Sequence, residues 1–339
     1  MLAESWFWLL ALMLGTYVVL GGCDLGVGIL QLYVARTREE RSAVIETIRP
    51  LWKPNEVWLV AAGGTLFLAF PTLLAVAFSG FYLPLMLVLW LLLARGLGIE
   101  LRYQLEDSMW QQAWDVALSA SSLLLALFYG AALGNIVRGV SLDADGSFFA
   151  ALWTDFRVSD TSGILDWYTL LVGALAVCAL THHGALWLSA RAAGAVRDRA
   201  EHAARRLLPP LLLGWLAVGA ASFVARPAVL DSLRTRPWGL AFPLLALSAF
   251  AAVAQLRRTR RPRHAYLASC VALYASFLTA AVSTFPDVLP ARNPSHSLTI
   301  VQAAAPASSL ATALWWWVPG ITFVVACFAW LHRRLRVGA

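Results

Sequence analysis

Charge is scarce in this chain. Only 13% of its 339 residues are Asp, Glu, Lys or Arg, while 60% are hydrophobic. A soluble domain carries about 25% charged and about 45–50% apolar residues. A water-soluble globule is therefore excluded, and the mean hydropathy of +0.69 points to a chain that is mostly bilayer. Cysteine is equally sparse: Cys23, Cys178, Cys270 and Cys327 stand far apart, each inside an apolar run. No CxxC or metal-ligand spacing occurs, which removes a disulfide framework and a zinc site from the reading. They read as small core residues. No basic n-region precedes the first apolar run, so that run is expected to persist as a helix rather than be cleaved as a signal peptide. No sequence repeat is evident. Of the six histidines, only His182 and His183 fall inside an apolar stretch.

What the chain has in abundance is long apolar runs. A spanning helix needs about 20 apolar residues, and nine stretches satisfy this: 6–32, 57–78, 80–101, 114–137, 164–189, 208–225, 238–256, 265–284 and 313–331. The fold class is all-α and polytopic, one integral membrane domain over 1–339. Basic residues set its orientation. With the N-terminus outside, the segments 33–56, 95–113, 190–207, 257–264 and 332–339 lie inside and hold 20 of the 26 Lys and Arg residues. That asymmetry is the positive-inside rule, and it gives nine spans, N-out and C-in. The net charge of +7 thus reflects topology and no nucleic-acid partner. The RRTRRPRH cluster at 257–264 reads as an anchor to anionic membrane lipid. The acidic 138–163 loop and the Pro- and Ser-rich 285–312 loop are expected outside.

Few groups are left to carry chemistry. Asp24 lies among glycines in the first span, and a carboxylate at depth is costly unless paired or wetted. It reads as a proton-path member, as an ion-pair partner at a subunit contact, or as a group near a helix end, if that helix stops near Gly22. Gly22 and Gly26 have the small-xxx-small spacing of close helix approach, and Gly28 extends the stripe. The string GGCDLGVG has no preceding strand and is no nucleotide loop. At the mouth of the second span stand Lys53, Pro54, Asn55 and Glu56, with Lys53 and Glu56 spaced to pair along one helix face. Arg95, Glu100 and Arg102 close the third span and read as interfacial anchors. Sixteen Trp residues, three of them at Trp315–Trp317, fit an aromatic belt. The local pair His182–His183 is a poor haem site, because a haem-bearing bundle offers ligands on facing helices. A helix–helix or pathway role suits His183 better.

Taken together, these residues resemble a known family. GxDLGVGxL at 22–30, PxWxxNEVWL at 50–59, GGxLFxAFP at 63–71 and SGFYxP at 79–84 resemble subunit II of bacterial cytochrome bd-type quinol oxidases. GALWL at 184–188, FPxVLP at 285–290 and SLT at 297–299 continue the likeness in order. The 50–84 block is the specific one; residues 190–260 are least distinctive. The resemblance implies two four-helix bundles plus one peripheral helix, paired with a haem-bearing subunit I. It implies haems b and d, or b alone, on subunit I, and no metal or haem ligated by this chain. It allows for a bound quinone and a small single-helix accessory subunit. The complex would sit in the bacterial cytoplasmic membrane, oxidise quinol and reduce O2 to water, taking protons from the inside without pumping. This chain alone would have no catalytic residue. Asp24 falls on the family's first-helix acid, and Asn55 and Trp58 on its N-x-VW pair. Trp58 joins Gly22, Gly26, Gly28 and His183 as helix or subunit contacts.

One position departs from the family. Where the pattern is W-[DE]-x-N, this chain reads Trp52-Lys53-Pro54-Asn55. The family acid is associated with proton uptake, and a fixed positive charge repels an incoming proton. Asp24, Asn55 and Glu56 then become the proton-path candidates, Glu56 standing in one turn away. Two other readings stand beside this one. A proton-coupled secondary transporter would use Asp24 or Glu56 as its coupling acid, although paired broken helices are not evident. A structural membrane subunit without an oxidase partner would need neither.

Overall fold

The structure is a computed structural model that describes residues 1–159 and 162–337, with side chains as far as Trp330. Asp160 of the acidic loop, His332 and the arginine side chains of the tail lie outside the described residues. Eight long apolar helices dominate: α1 (Leu2–Val34), α5 (Tyr82–Leu101), α6 (Ser108–Arg138), α7 (Trp167–Arg191), α8 (Gly194–Ala225), α10 (Ala241–Arg258), α11 (Pro262–Thr284) and α13 (Ala307–Val337). Each has the length and hydropathy to cross a membrane, α10 together with a 3-10 turn at Pro237–Leu240. Between α1 and α5 stand α2 (Arg38–Glu46), α3 (Trp52–Ala69) and α4 (Pro71–Gly80); the short α9 (Ala228–Thr235) and α12 (Ile300–Ala303) complete the set.

The expected second span at 57–78 is not one rod. α3 and α4 meet at an angle of 116°, and only if the bent pair counts as one do the described residues reach nine candidate spans. Proline explains the break. Pro71 has no N–H to continue the ladder and its ring crowds the preceding turn. Phe70 accordingly leaves helical geometry, at φ −134° and ψ 61°, and Pro71 becomes the first residue of the next helix. The sixth span also begins earlier than the hydropathy suggests. Residues 194–207, polar but rich in Ala and Arg, continue the helix beyond the apolar part, so α8 starts at Gly194 rather than 208.

α1 is the hub, packing along α3, α6, α7 and α11. Its lower half shows why glycine is needed there. A Cβ on Gly26 would lie 2.0 Å from the Leu180 carbonyl oxygen, and one on Gly184 would lie 2.3 Å from the Gly26 carbonyl carbon. The backbones of α1 and α7 therefore touch at the Gly26–Gly184 crossing, as the small-residue spacing anticipates.

Buried ion pairs tie the two ends. At the end rich in Lys and Arg (the basic end), Arg102 is fully buried and donates to Asp115 on α6 at 2.6 Å and to Ser42 on α2 at 3.0 Å. Arg102 is thus no interfacial anchor. At the opposite end Arg138 pairs with Asp166 and donates to Asn135 at 2.5 Å. Two loops cover that end. Phe148 seats its ring where a Cβ on Gly80 would fall, and the strands β1 (Asp287–Leu289) and β2 (Leu298–Thr299) pair antiparallel. The amide of Ala305 then donates to the Ala69 carbonyl at 2.9 Å, beside the α3–α4 break.

α2 is held by a capping box: Thr37 accepts from the Glu40 amide while Glu40 reaches back to the Thr37 amide. Glu40 also receives the Arg36 amide at 2.6 Å and pairs with Arg199 on α8. The Arg36 amide first and Arg199 second, with a smaller share from the Thr37 amide, hold its carboxyl below the usual value of 4.5. A depressed carboxyl stabilises above its unfolded value and stops doing so as pH falls through the folded one. Hydrogen exchange of the α2 amides, corrected for intrinsic rates, should therefore lose protection on acidification from pH 6 towards pH 4. Glu40→Gln should flatten that profile, and Thr37→Ala should lower α2 protection by about 1 kcal/mol at neutral pH. A profile identical in wild type and Glu40→Gln contradicts this account.

Candidate functional site

The polar residues singled out in α1 and α3 converge between α1, α3, α5 and α6. α1 continues ten residues past Asp24 to Val34, so this acid is well inside the helix, 1% exposed, and not at a helix end. Asn55 is buried beside it and donates to Asp24 Oδ2 at 2.8 Å and to the Leu20 carbonyl at 3.2 Å. One residue further along α3, Glu56 faces a different partner from the one its spacing suggested. Lys53 reaches Glu100 on α5 at 3.0 Å, whereas Glu56 pairs with Arg95 on α5. Arg95 is not at the interface either: it is 1% exposed and its guanidinium lies inside the bundle. The reason is reach. On α3, Lys53 and Glu56 share a face, but α5 offers each of them an opposite charge at its own height.

Two tyrosines complete the cluster. The Tyr17 hydroxyl lies 3.4 Å from Glu56 Oε2 and 3.1 Å from the Tyr129 hydroxyl on α6. Tyr17 stands seven residues before Asp24, two turns along the same face of α1, which is a signal that the sequence carried and that went unused. Tyr129 had none, since its place follows only from how α6 packs. Asp24 Oδ1, Asn55 Oδ1 and Arg95 Nε and Nη1 are buried without a protein partner among the described residues. Buried polar atoms of this kind cost several kcal/mol in an apolar medium unless something hydrogen-bonds them. The Trp58 ring closes the α3 side against Phe328 of α13, with ring centres 5.7 Å apart.

His183 does separate work. It bonds Ser269 Oγ on α11 at 2.7 Å and the Val19 carbonyl on α1 at 3.1 Å, and stacks on Tyr266 at 4.8 Å. Both ring nitrogens are engaged, so none remains for iron. Among the described residues no group of three or more His, Cys, Asp or Glu side chains converges on a common point. Gly22 and Gly28 pack tightly on Leu180 of α7 and Ser122 of α6.

Comparison with known proteins agrees with the motif resemblance. The family model for cytochrome bd terminal oxidase subunit II matches residues 2–335. The probable cytochrome oxidase subunit 2 of Haemophilus influenzae is 29% identical, aligned over 97% of this chain and 93% of its own length. The cytochrome bd ubiquinol oxidase subunit 2 of Bacillus subtilis is 27% identical over 99% and 96%. In structure, a chain of the bd oxidase from Geobacillus thermodenitrificans has the same fold, with a TM-score of 0.78 over 98% of each chain at 18% identity.

Proposed function

The chain belongs to the cytochrome bd terminal oxidase subunit II family, and from that premise we propose that it supports a haem-bearing subunit I and carries protons towards it. The complex oxidises quinol and reduces O2 to water; this chain ligates no haem and has no catalytic residue of its own. In this reading it lies in the bacterial cytoplasmic membrane, N-out and C-in, as two four-helix bundles plus α13 at the periphery. The charge asymmetry supports that orientation, with 20 of 26 basic residues at one end.

The observation that carries the proposal is the cluster of Asp24, Asn55, Glu56 and Arg95 with Tyr17 and Tyr129. Two acids at membrane depth are expensive, and such groups mark proton relays more often than scaffolding. Glu56 is the more exposed of the two and lies in the first turns of α3. Tyr17 and Tyr129 extend from it as hydroxyls, each able to accept a proton and pass one on. Arg95 keeps the negative charge tolerable between transfers. Asn55 ties Asp24 to the same group of side chains. Lys53, at the position of the family acid, is engaged by Glu100, and Glu56 is the acid one turn further along α3.

The subunit I contact is supported by the α3–α4 break. A bend of 116° leaves backbone groups without helical partners, and at membrane depth irregular backbone needs protein cover. The Ala305 amide covers part of it, while the face with Val60, Phe67 and Leu68 stays exposed. A transporter would also use a broken helix, but in corresponding halves, and the described residues hold one such break.

The test is Glu56→Gln in the complete complex, reconstituted in vesicles. Quinol-driven O2 consumption should fall by about a hundredfold, the low end for loss of a proton-transfer group, with the haem spectrum unchanged. Full turnover together with full proton uptake would remove Glu56 from the path.

A further inference from the structure

At the basic end, α8 packs along α7 and α10 along α11, leaving a cleft of about 1020 Å³ between the two pairs. Arg197 and Arg205 of α8 face Arg257, Arg258 and Arg260 across it. Arg257 bridges the cleft by donating to the Ala204 carbonyl at 3.3 Å. None of the five forms a salt bridge with a carboxylate among the described residues, although the chain pairs other arginines freely. Asp198 and Glu201 line the same cleft, so its wall carries a net charge of +3. Five guanidiniums against two carboxylates leave an excess of positive charge that repels itself, and an anion placed among them reduces that repulsion.

The lower part of the cleft is different in kind. Leu208, Pro209 and Ala254 form its floor, at the level where α8 and α10 turn apolar. Pro209 and Pro210 lack the N–H groups that would bond the carbonyls of the preceding turn, which leaves acceptors uncovered on this stretch of α8. A charged rim over an apolar floor, at the end of two spanning helices, matches a lipid crossing from headgroup to chain.

We propose that this cleft binds the headgroup of an anionic phospholipid with a hydroxylated headgroup, of the phosphoglycerol kind. Its phosphate sits among the arginines, its hydroxyls donate to Asp198 and Glu201, and its acyl chains leave over Leu208 and Ala254. The inference rests on the chain spanning a membrane and is independent of the proton path.

The experiment uses the complete complex in mild detergent, stripped of lipid and titrated with phosphatidylglycerol, phosphatidylethanolamine or inorganic phosphate while bound lipid is counted by native mass spectrometry. The cleft variant is Arg205→Gln/Arg257→Gln/Arg258→Gln. The control removes equal charge from the same end but outside this cleft, as Arg206→Gln/Arg261→Gln/Arg263→Gln. Phosphatidylglycerol affinity should fall by about tenfold or more in the cleft variant and by less than about twofold in the control. Equal losses in both would make the attraction diffuse and overturn the site. Competition by inorganic phosphate at the lipid's own concentration would make it a soluble-phosphate site, and equal retention of phosphatidylethanolamine would refute selection by net charge. If the variants do not assemble, phenylglyoxal labelling of the wild-type complex decides: phosphatidylglycerol must protect Arg205 and Arg257 more than Arg206 and Arg263.

Discussion

Arg95→Leu should cost the complex about 3–5 kcal/mol, the usual penalty for stripping one partner from a buried ion pair. Glu56 would then face the bundle interior with Tyr17 as its nearest polar neighbour, and Asp24 would lose the nearest cation to its side of the cluster. The readout is the thermal midpoint of subunit co-elution in detergent, with the yield of assembled complex beside it. The double variant Arg95→Leu/Glu56→Gln separates stability from transport. Removing both charges restores assembly, since an apolar or neutral replacement of a whole buried pair is often neutral. Turnover should nevertheless stay low, because the acid is gone. A single variant as stable as wild type shows that the pair is not buried in the assembled complex. A double variant with full turnover takes both residues off the path.

The second large effect belongs to Gly26→Ala. One methyl group would be driven to 2.0 Å from the Leu180 carbonyl oxygen, with backbone rather than a flexible side chain in the way. Overpacking a tight site costs about 1–3 kcal/mol, and more where neither side can yield. Here α1 and α7 would have to separate, and with α1 go its contacts to α3, α6 and α11. Gly219→Ala on α8 is the control, because nothing lies within 4 Å of a Cβ there. The expected result is little or no assembled complex for Gly26→Ala and a normal yield for Gly219→Ala. Equal yields would mean that the α1–α7 crossing has room to relax.

The spans were legible in the sequence because hydropathy and loop charge are properties of each segment by itself. Asp24, Asn55 and Glu56 were legible too, as polar residues where polarity is costly. Partnership was not. Lys53 and Glu56 have a local spacing that favours their pairing, yet the structure gives them to Glu100 and Arg95, which lie 47 and 39 positions away in the chain. Arg95 looked like an anchor because it sits near the end of an apolar run, and its burial depends on α3 and α6 closing over it. The bend at Phe70–Pro71 follows from a proline inside the 57–78 stretch, which hydropathy alone joins into one span. Local rules describe what a residue can do; which of those options is realised depends on residues far away in sequence.

The bend has a mechanical side. α3, with 18 residues, is about 27 Å long, and α4 then carries the chain about 15 Å sideways before α5 turns back. The two crossings are joined at the basic end by Glu56–Arg95 and Lys53–Glu100 and held apart at the other. The two ion pairs thus clip α3 to α5 near the start of one helix and the end of the other. The length of α4 sets how far apart the two helices lie at the opposite end.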